Sequence, residues 1–174
     1  MTNEERQVLL LREAEFNSIL KLFGNYALRR NIAEVPSSSL RRFYAALYNR
    51  VFGKNRFNKE CYYKALEAYL CTLKTSDKMP NDNVFIEGLH SCNMYRRAKI
   101  LRYFFDIIEN KGKEPIDMSN LTIEHILPET LSNQWINDLG ERYQEVYDRY
   151  VHTLGNLSIT GYNSEYINAT FTIK

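Results

Sequence analysis

A carboxylate stands directly before a histidine in the run Ile123-Glu124-His125-Ile126-Leu127-Pro128, and Leu154-Gly155-Asn156-Leu157 and Asn163 follow downstream. An imidazole, with an ordinary pKa near ~6.5, can take a proton from water at neutral pH. A carboxylate beside it, ahead of a proline that stops a strand, is what a metal-assisted hydrolase needs if it activates water in this way. The C-terminal third therefore reads as a nuclease site.

Elements must hold these groups, and hydrophobic spacing predicts which. Leu121, Ile123, His125 and Leu127 alternate with Thr122, Glu124 and Ile126, a strand pattern bounded by Asn120 and Pro128. Leu157-Ser158-Ile159-Thr160 reads as a second short strand, entered through Gly155 and Asn156 and left at Gly161. Between them, residues 129–150 carry Trp135, Leu139, Tyr143, Val146 and Tyr147 as a loop and helix, and a short helix is expected from Asn163. Strand, insertion, strand and helix make a ββα unit. Adjacent residues on a regular strand face opposite ways, so Glu124 and His125 meet one phosphate only at a bulge or a strand end.

The residues before Pro115 are helical in pattern. Leu9, Leu10, Phe16, Ile19, Leu20 and Phe23 predict a helix over residues 3–23 that stops at Gly24. Leu40, Phe43, Tyr44, Leu47, Tyr48 and Val51 predict a second, started by Pro36 and the serines at 37–39 and ended at Gly53. A third runs from a cap at Asn58 through Leu73, with Cys61, Tyr62, Leu66, Tyr69 and Leu70 inward. A fourth lies near 82–90, and a fifth near 93–109 presents Tyr95, Ala98, Leu101, Phe105 and Ile108 on one side. The expected architecture is mainly α: a helical bundle over residues 1–114 as scaffold and DNA-contacting part, and a ββα-metal nuclease motif over 115–174 packed on it.

Composition agrees with a globular chain. The 174 residues are 44% hydrophobic, enough for a substantial core, and no apolar run approaches the ~20 residues that span a bilayer. No membrane is expected, the start Met1-Thr2-Asn3-Glu4-Glu5 is unlike a secretory signal, and the default location is the cytoplasm. Cys61, Cys71 and Cys92 form no C-x-x-C pair, which supports neither a disulfide framework nor a zinc knuckle. The net charge of +2 is unevenly placed: residues 1–120 hold 20 Lys and Arg against 14 Asp and Glu, and residues 121–174 hold 3 against 7. A basic part that docks phosphates beside an acidic part that holds metal suits a nuclease, although mixed charges also simply solvate helix faces.

The run from Leu121 to Pro128, Trp135, the run Leu154-Gly155-Asn156-Leu157-Ser158-Ile159-Thr160-Gly161-Tyr162-Asn163 and the ending Phe171-Thr172-Ile173-Lys174 resemble the C-terminal nuclease domain of GmrSD-type, modification-dependent restriction enzymes. That domain belongs to the HNH, or His-Me finger, superfamily. Tyr26-Ala27-Leu28-Arg29-Arg30-Asn31-Ile32 and Pro36-Ser37-Ser38-Ser39-Leu40 resemble the arginine-pair segment ahead of it, so the likeness spans nearly the whole chain. It implies a metal-dependent DNA endonuclease with His125 as general base. It implies that Glu124 and Asn163 bind one divalent ion, Mg²⁺ with Mn²⁺ as a substitute, and that Asn156 orders the turn between the strands. It also implies 5′-phosphate and 3′-hydroxyl products, and a nucleotide-hydrolysing N-terminal domain or subunit as partner. No Gly-rich phosphate loop is present, so the chain is expected to be a C-terminal fragment or a stand-alone effector.

Plainer roles stand beside these. His125 among Leu and Ile could be a packed core histidine, Asn156 only a turn former, Asn163 only a helix cap and Trp135 a core anchor. Arg29, Arg30, Arg41, Arg42, Arg96 and Arg97, with His152 and Lys174, are candidate nucleic-acid contacts, because guanidinium groups pair with phosphate bidentately. Each arginine cluster could instead be a solvated helix face, and His152 a structural histidine. A catalytically silent DNA- or protein-binding module is the alternative function, and RNA the alternative substrate.

Overall fold

The computed structural model describes residues 13–53, 61–111 and 115–161. It is mainly helical, with one two-stranded sheet among the described residues. The chain divides into two compact units, residues 1–86 and 87–174, so the change of periodicity at Pro115 lies inside the second.

In the first unit α1 (Glu13–Ile32), α2 (Leu40–Phe52) and α3 (Tyr62–Thr72) share one core. Ile19, Leu22 and Tyr26 stand three and four residues apart on α1, Phe43, Leu47 and Val51 four apart on α2, and Leu66 and Leu70 likewise on α3. Burying each such side chain contributes about 1.5–3 kcal/mol, and that sum decides where the helices run. It explains the first departure from expectation. Gly24 does not stop α1, because a mid-helix glycine costs only about 1 kcal/mol, less than burying Tyr26 and Ile32 beyond it returns. Phe16 and Leu20, expected inward, are exposed. At the end of α2 Gly53 does act as the stop: its N–H closes on the Asn49 carbonyl, into which a Cβ there would collide. Asn58, the expected cap of α3, lies outside the described residues.

Tyr26 is wholly buried and donates its hydroxyl to the Asp77 carbonyl at 2.7 Å. Burial disfavours the phenolate and pushes its pKa up to about 12, against a smaller opposing pull from the nearby Arg30 guanidinium. Arg30 is itself buried, its fork donating to the carbonyls of Ser76 at 2.5 Å and Pro36 at 2.9 Å, with Asp77 3.8 Å away. This one cation ties α1 to the segments on either side of α2 and α3.

The helix α4 (Asp82–Ser91) begins where Asn81 Oδ1 accepts the Val84 N–H at 3.0 Å. A single 3₁₀ turn, Tyr95–Arg97, leads into α5 (Ala98–Glu109). Leu101 of α5 is fully buried as expected, but Ile108, also expected inward, is 57% exposed, with Tyr103 and Ile107 exposed near it. The strand β1 (Thr122–His125) pairs antiparallel with β2 (Leu157–Thr160), Thr122 opposite Thr160 and His125 opposite Leu157. The insertion between them is a helical pair, α6 (Asn133–Leu139) and α7 (Tyr143–Tyr150). Ser132 caps α6, Trp135 is buried at 4% exposure, and Gly140 turns the chain at φ +72°. The helix expected from Asn163 lies outside the described residues. No described helix is long and apolar enough to cross a membrane.

Candidate functional site

Where β1 ends, one side chain takes over from the ladder. The Ile126 N–H still donates to the Asn156 carbonyl at 2.9 Å, and from there the Asn156 amide does the pairing. Its Oδ1 accepts the Leu127 N–H at 2.7 Å, while Nδ2 donates to the Leu127 carbonyl at 3.0 Å and the Val151 carbonyl at 2.8 Å. A buried amide with three partners is satisfied and rigid, because leaving any of them unmade would carry the desolvation cost of a buried polar group. Thr153 continues the fastening, its N–H and hydroxyl both donating to the Tyr150 carbonyl. The residues between these anchors are therefore held: Pro128 and Glu129 on one side, His152 on the other.

His125 is the last residue of β1 and is 8% exposed. Its Nε2 lies 3.2 Å from Nδ1 of His152, so one ring donates and the other accepts. Tyr95 covers both imidazoles, its ring 4.5 Å from that of His125 and stacked at 11° on that of His152, 5.6 Å away. The backbone under His152 is fixed as well, since its carbonyl accepts the Met94 N–H at 2.9 Å. Glu129 comes to the same place from the loop after Pro128, its own carbonyl held by the Tyr147 hydroxyl. Ligand atoms of His125, Glu129 and His152 all lie within 4.8 Å of one another. Two ring nitrogens and a carboxylate oxygen form a donor set that fits a divalent ion, running from buried His125 through half-buried His152 to exposed Glu129.

Glu124 faces Ser158 across the ladder, and the register runs from Thr122 to His125 without a bulge, so Glu124 projects from the other side of the ribbon to His125. Asn163 and Lys174 lie outside the described residues. Arg30 is buried against carbonyls and has no face to offer a phosphate. Arg29 donates to the Pro80 carbonyl, pairs with Asp82 and lies over the Phe85 ring. Arg41, Arg42 and Arg96 are exposed and Arg97 is half-buried, while Arg102 is tied to the Met118 carbonyl at 2.9 Å. His152, read both as structural and as a phosphate contact, stands against His125. Sequence reasoning passed over Glu129 and treated Tyr95 as packing; the one signal for Glu129 was its place directly after Pro128, four residues from His125.

A cavity of about 400 Å³ adjoins this turn, walled by Leu89, Trp135, Leu139, Val146, Tyr150 and Asn156 among others.

The family model for the C-terminal domain of GmrSD restriction endonucleases matches residues 79–174, which contain every group of the cluster. No curated protein and no solved structure matches the chain. With the hairpin, the Gly-Asn turn and more than half of its length inside that model, the chain belongs to the GmrSD restriction endonuclease family, as a carrier of its C-terminal domain.

Proposed function

We propose that the second unit is a metal-dependent endonuclease of the HNH, or His-Me finger, type that hydrolyses DNA phosphodiester bonds. The observation that carries the reading is His125, an imidazole at a strand end held against a second imidazole and within reach of an exposed carboxylate, in a chain of restriction-endonuclease kinship. In this reading the segment from Glu124 to the residues after Asn163 is a ββα-metal motif.

His125 takes the proton of the attacking water, a step for which a positioned imidazole contributes typically ~10²–10⁴-fold. His152, bonded to the same ring, keeps it oriented, and Tyr95 prevents both imidazoles from turning. Asn156 acts one step back by clamping Leu127 and Val151, which fixes the backbone that carries His125 and His152. Glu124 and Asn163 would hold Mg²⁺, or Mn²⁺ in its place, through hard oxygen donors, the Glu124 carboxylate reaching the phosphate round the strand end at His125. An ion held there would supply polarisation of the scissile phosphate and stabilisation of the leaving 3′ oxygen. The exposed Arg41, Arg42 and Arg96 dock the polynucleotide through its phosphates.

The biological setting we propose is the effector part of a phage-defence restriction enzyme in the cytoplasm, acting on DNA that can carry modified bases and working with a nucleotide-hydrolysing N-terminal domain or subunit. Incubation of the protein with matched DNA and RNA substrates, with Mg²⁺, with Mn²⁺ and with a chelator, tests the reading. Cleavage of DNA that the chelator abolishes supports it. Cleavage of RNA alone, or binding of DNA with no cleavage under any of these ions, overturns it, the latter in favour of a silent binding module.

A further inference from the structure

His125, Glu129 and His152 do not resemble a magnesium site. Mg²⁺ prefers oxygen ligands in octahedral geometry and keeps most of its waters, whereas two imidazoles and one carboxylate with open positions suit zinc and neighbouring first-row metals. Geometry agrees. In a tetrahedral zinc site with Zn–N bonds of about 2.0–2.1 Å, two ring nitrogens stand roughly 3.3 Å apart, and His125 Nε2 and His152 Nδ1 are separated by 3.2 Å. The carboxylate of Glu129 is near enough to close the third position, all three ligand atoms lying within 4.8 Å of one another.

The frame is also built before any ion arrives. His125 is fixed by the strand ladder, His152 by the Met94 bond and Tyr95 stacking, and Glu129 by the Tyr147 bond to its carbonyl, with Asn156 clamping the chain between His125 and Glu129. The backbone under all three ligands is thus held, and the exposed Glu129 side chain is what an ion has left to order, which keeps the entropy loss small.

We propose that His125, Glu129 and His152 form a site for a transition-metal ion of the Zn²⁺ class, distinct from the Mg²⁺ donors Glu124 and Asn163. Its occupation engages Nε2 of His125, the nitrogen that faces His152. The second consequence rests on the nuclease reading: a neutral imidazole bound to the ion through Nε2 carries its proton on Nδ1 and has no nitrogen left to accept the proton of water, so Zn²⁺ suppresses Mg²⁺-supported cleavage.

Titration of the full chain with Co²⁺, followed by its visible absorption and by calorimetry, tests the site without relying on catalysis. Wild type is expected to take up one ion with the intense band of a low-coordinate centre, to release it to Zn²⁺, and to keep it in millimolar Mg²⁺. Glu129→Gln, which alters an exposed side chain and spares the packing, and His152→Ala are each expected to weaken uptake at least tenfold. No uptake, equal uptake by wild type and both variants, or displacement by Mg²⁺ would overturn the assignment. In parallel, the Zn²⁺ concentration that halves Mg²⁺-supported nicking should rise at least tenfold in Glu129→Gln; an unchanged value overturns capture of the base. Uptake without any nicking upholds the ion site and rejects the nuclease reading, so the two failures are distinguishable.

Discussion

The Asn156 side chain holds Leu127 by both of its backbone groups, accepting the N–H at 2.7 Å and donating to the carbonyl at 3.0 Å, across a sequence separation of 29 residues. A third bond, to the Val151 carbonyl, makes the same amide the junction between the end of β1 and the turn that carries His152. Asn156→Ala strands the buried Leu127 N–H and two carbonyls, and is expected to cost about 2–4 kcal/mol in urea denaturation. Asn156→Asp keeps the acceptor but sets a carboxylate against both carbonyls, and should not recover the loss. A change below about 1 kcal/mol in Asn156→Ala would show that the clamp is dispensable.

The arginines separate into two kinds. Arg30→Ala removes a buried fork that satisfies the Ser76 and Pro36 carbonyls, and is expected to lower stability by about 3–5 kcal/mol, read from the denaturation midpoint. Arg96→Ala alters an exposed side chain and should leave stability within about 0.5 kcal/mol. In DNA binding measured against salt concentration it should reduce the slope of log K against log salt by about one. An unchanged slope removes Arg96 from the docking surface.

Stability should fall in alkali for a reason specific to Tyr26. Its phenol has a pKa of about 12 in the folded chain, raised by burial above the ordinary value of 10.0, and Tyr44 is raised by burial as well. Folding therefore favours the protonated phenols, so their contribution is fully present below pH 10.0 and is lost as pH rises towards about 12. Denaturation at successive pH values should show this decline in wild type and a shallower one in Tyr26→Phe. Parallel curves would mean that Tyr26 is not the titrating group.

Much of the frame was legible because it depends on local patterns. The alternation in Leu157–Thr160, led in by Gly155 and Asn156, marked β2 at its observed bounds, and the spacing of Phe43, Leu47 and Val51 marked α2 as far as Gly53. Errors arose where a local signal competed with distant packing. Gly24 reads as a stop until the burial of Tyr26 and Ile32 is counted, and Arg29-Arg30 reads as a basic surface until the carbonyls of Ser76, Pro36 and Pro80 are found beside it. The apolar stripe of α5 was visible, but a stripe does not say whether anything covers Ile108. At the site, His125 and the clamp residue Asn156 stood out by type and spacing. Glu129 did not, because its approach to the two histidines depends on the path of the chain after Pro128 and on how the turn before Asn156 presents His152.

In the function we propose, the His125 imidazole performs the proton transfer of DNA hydrolysis. Nicking of supercoiled plasmid in Mg²⁺ or Mn²⁺ by wild type and by His125→Ala, both checked for intact folding by circular dichroism, measures it directly. Metal-dependent nicking by wild type and a loss of about 10²–10⁴-fold in the variant are expected. Equal nicking by the two proteins, or nicking that persists in chelator, would contradict it.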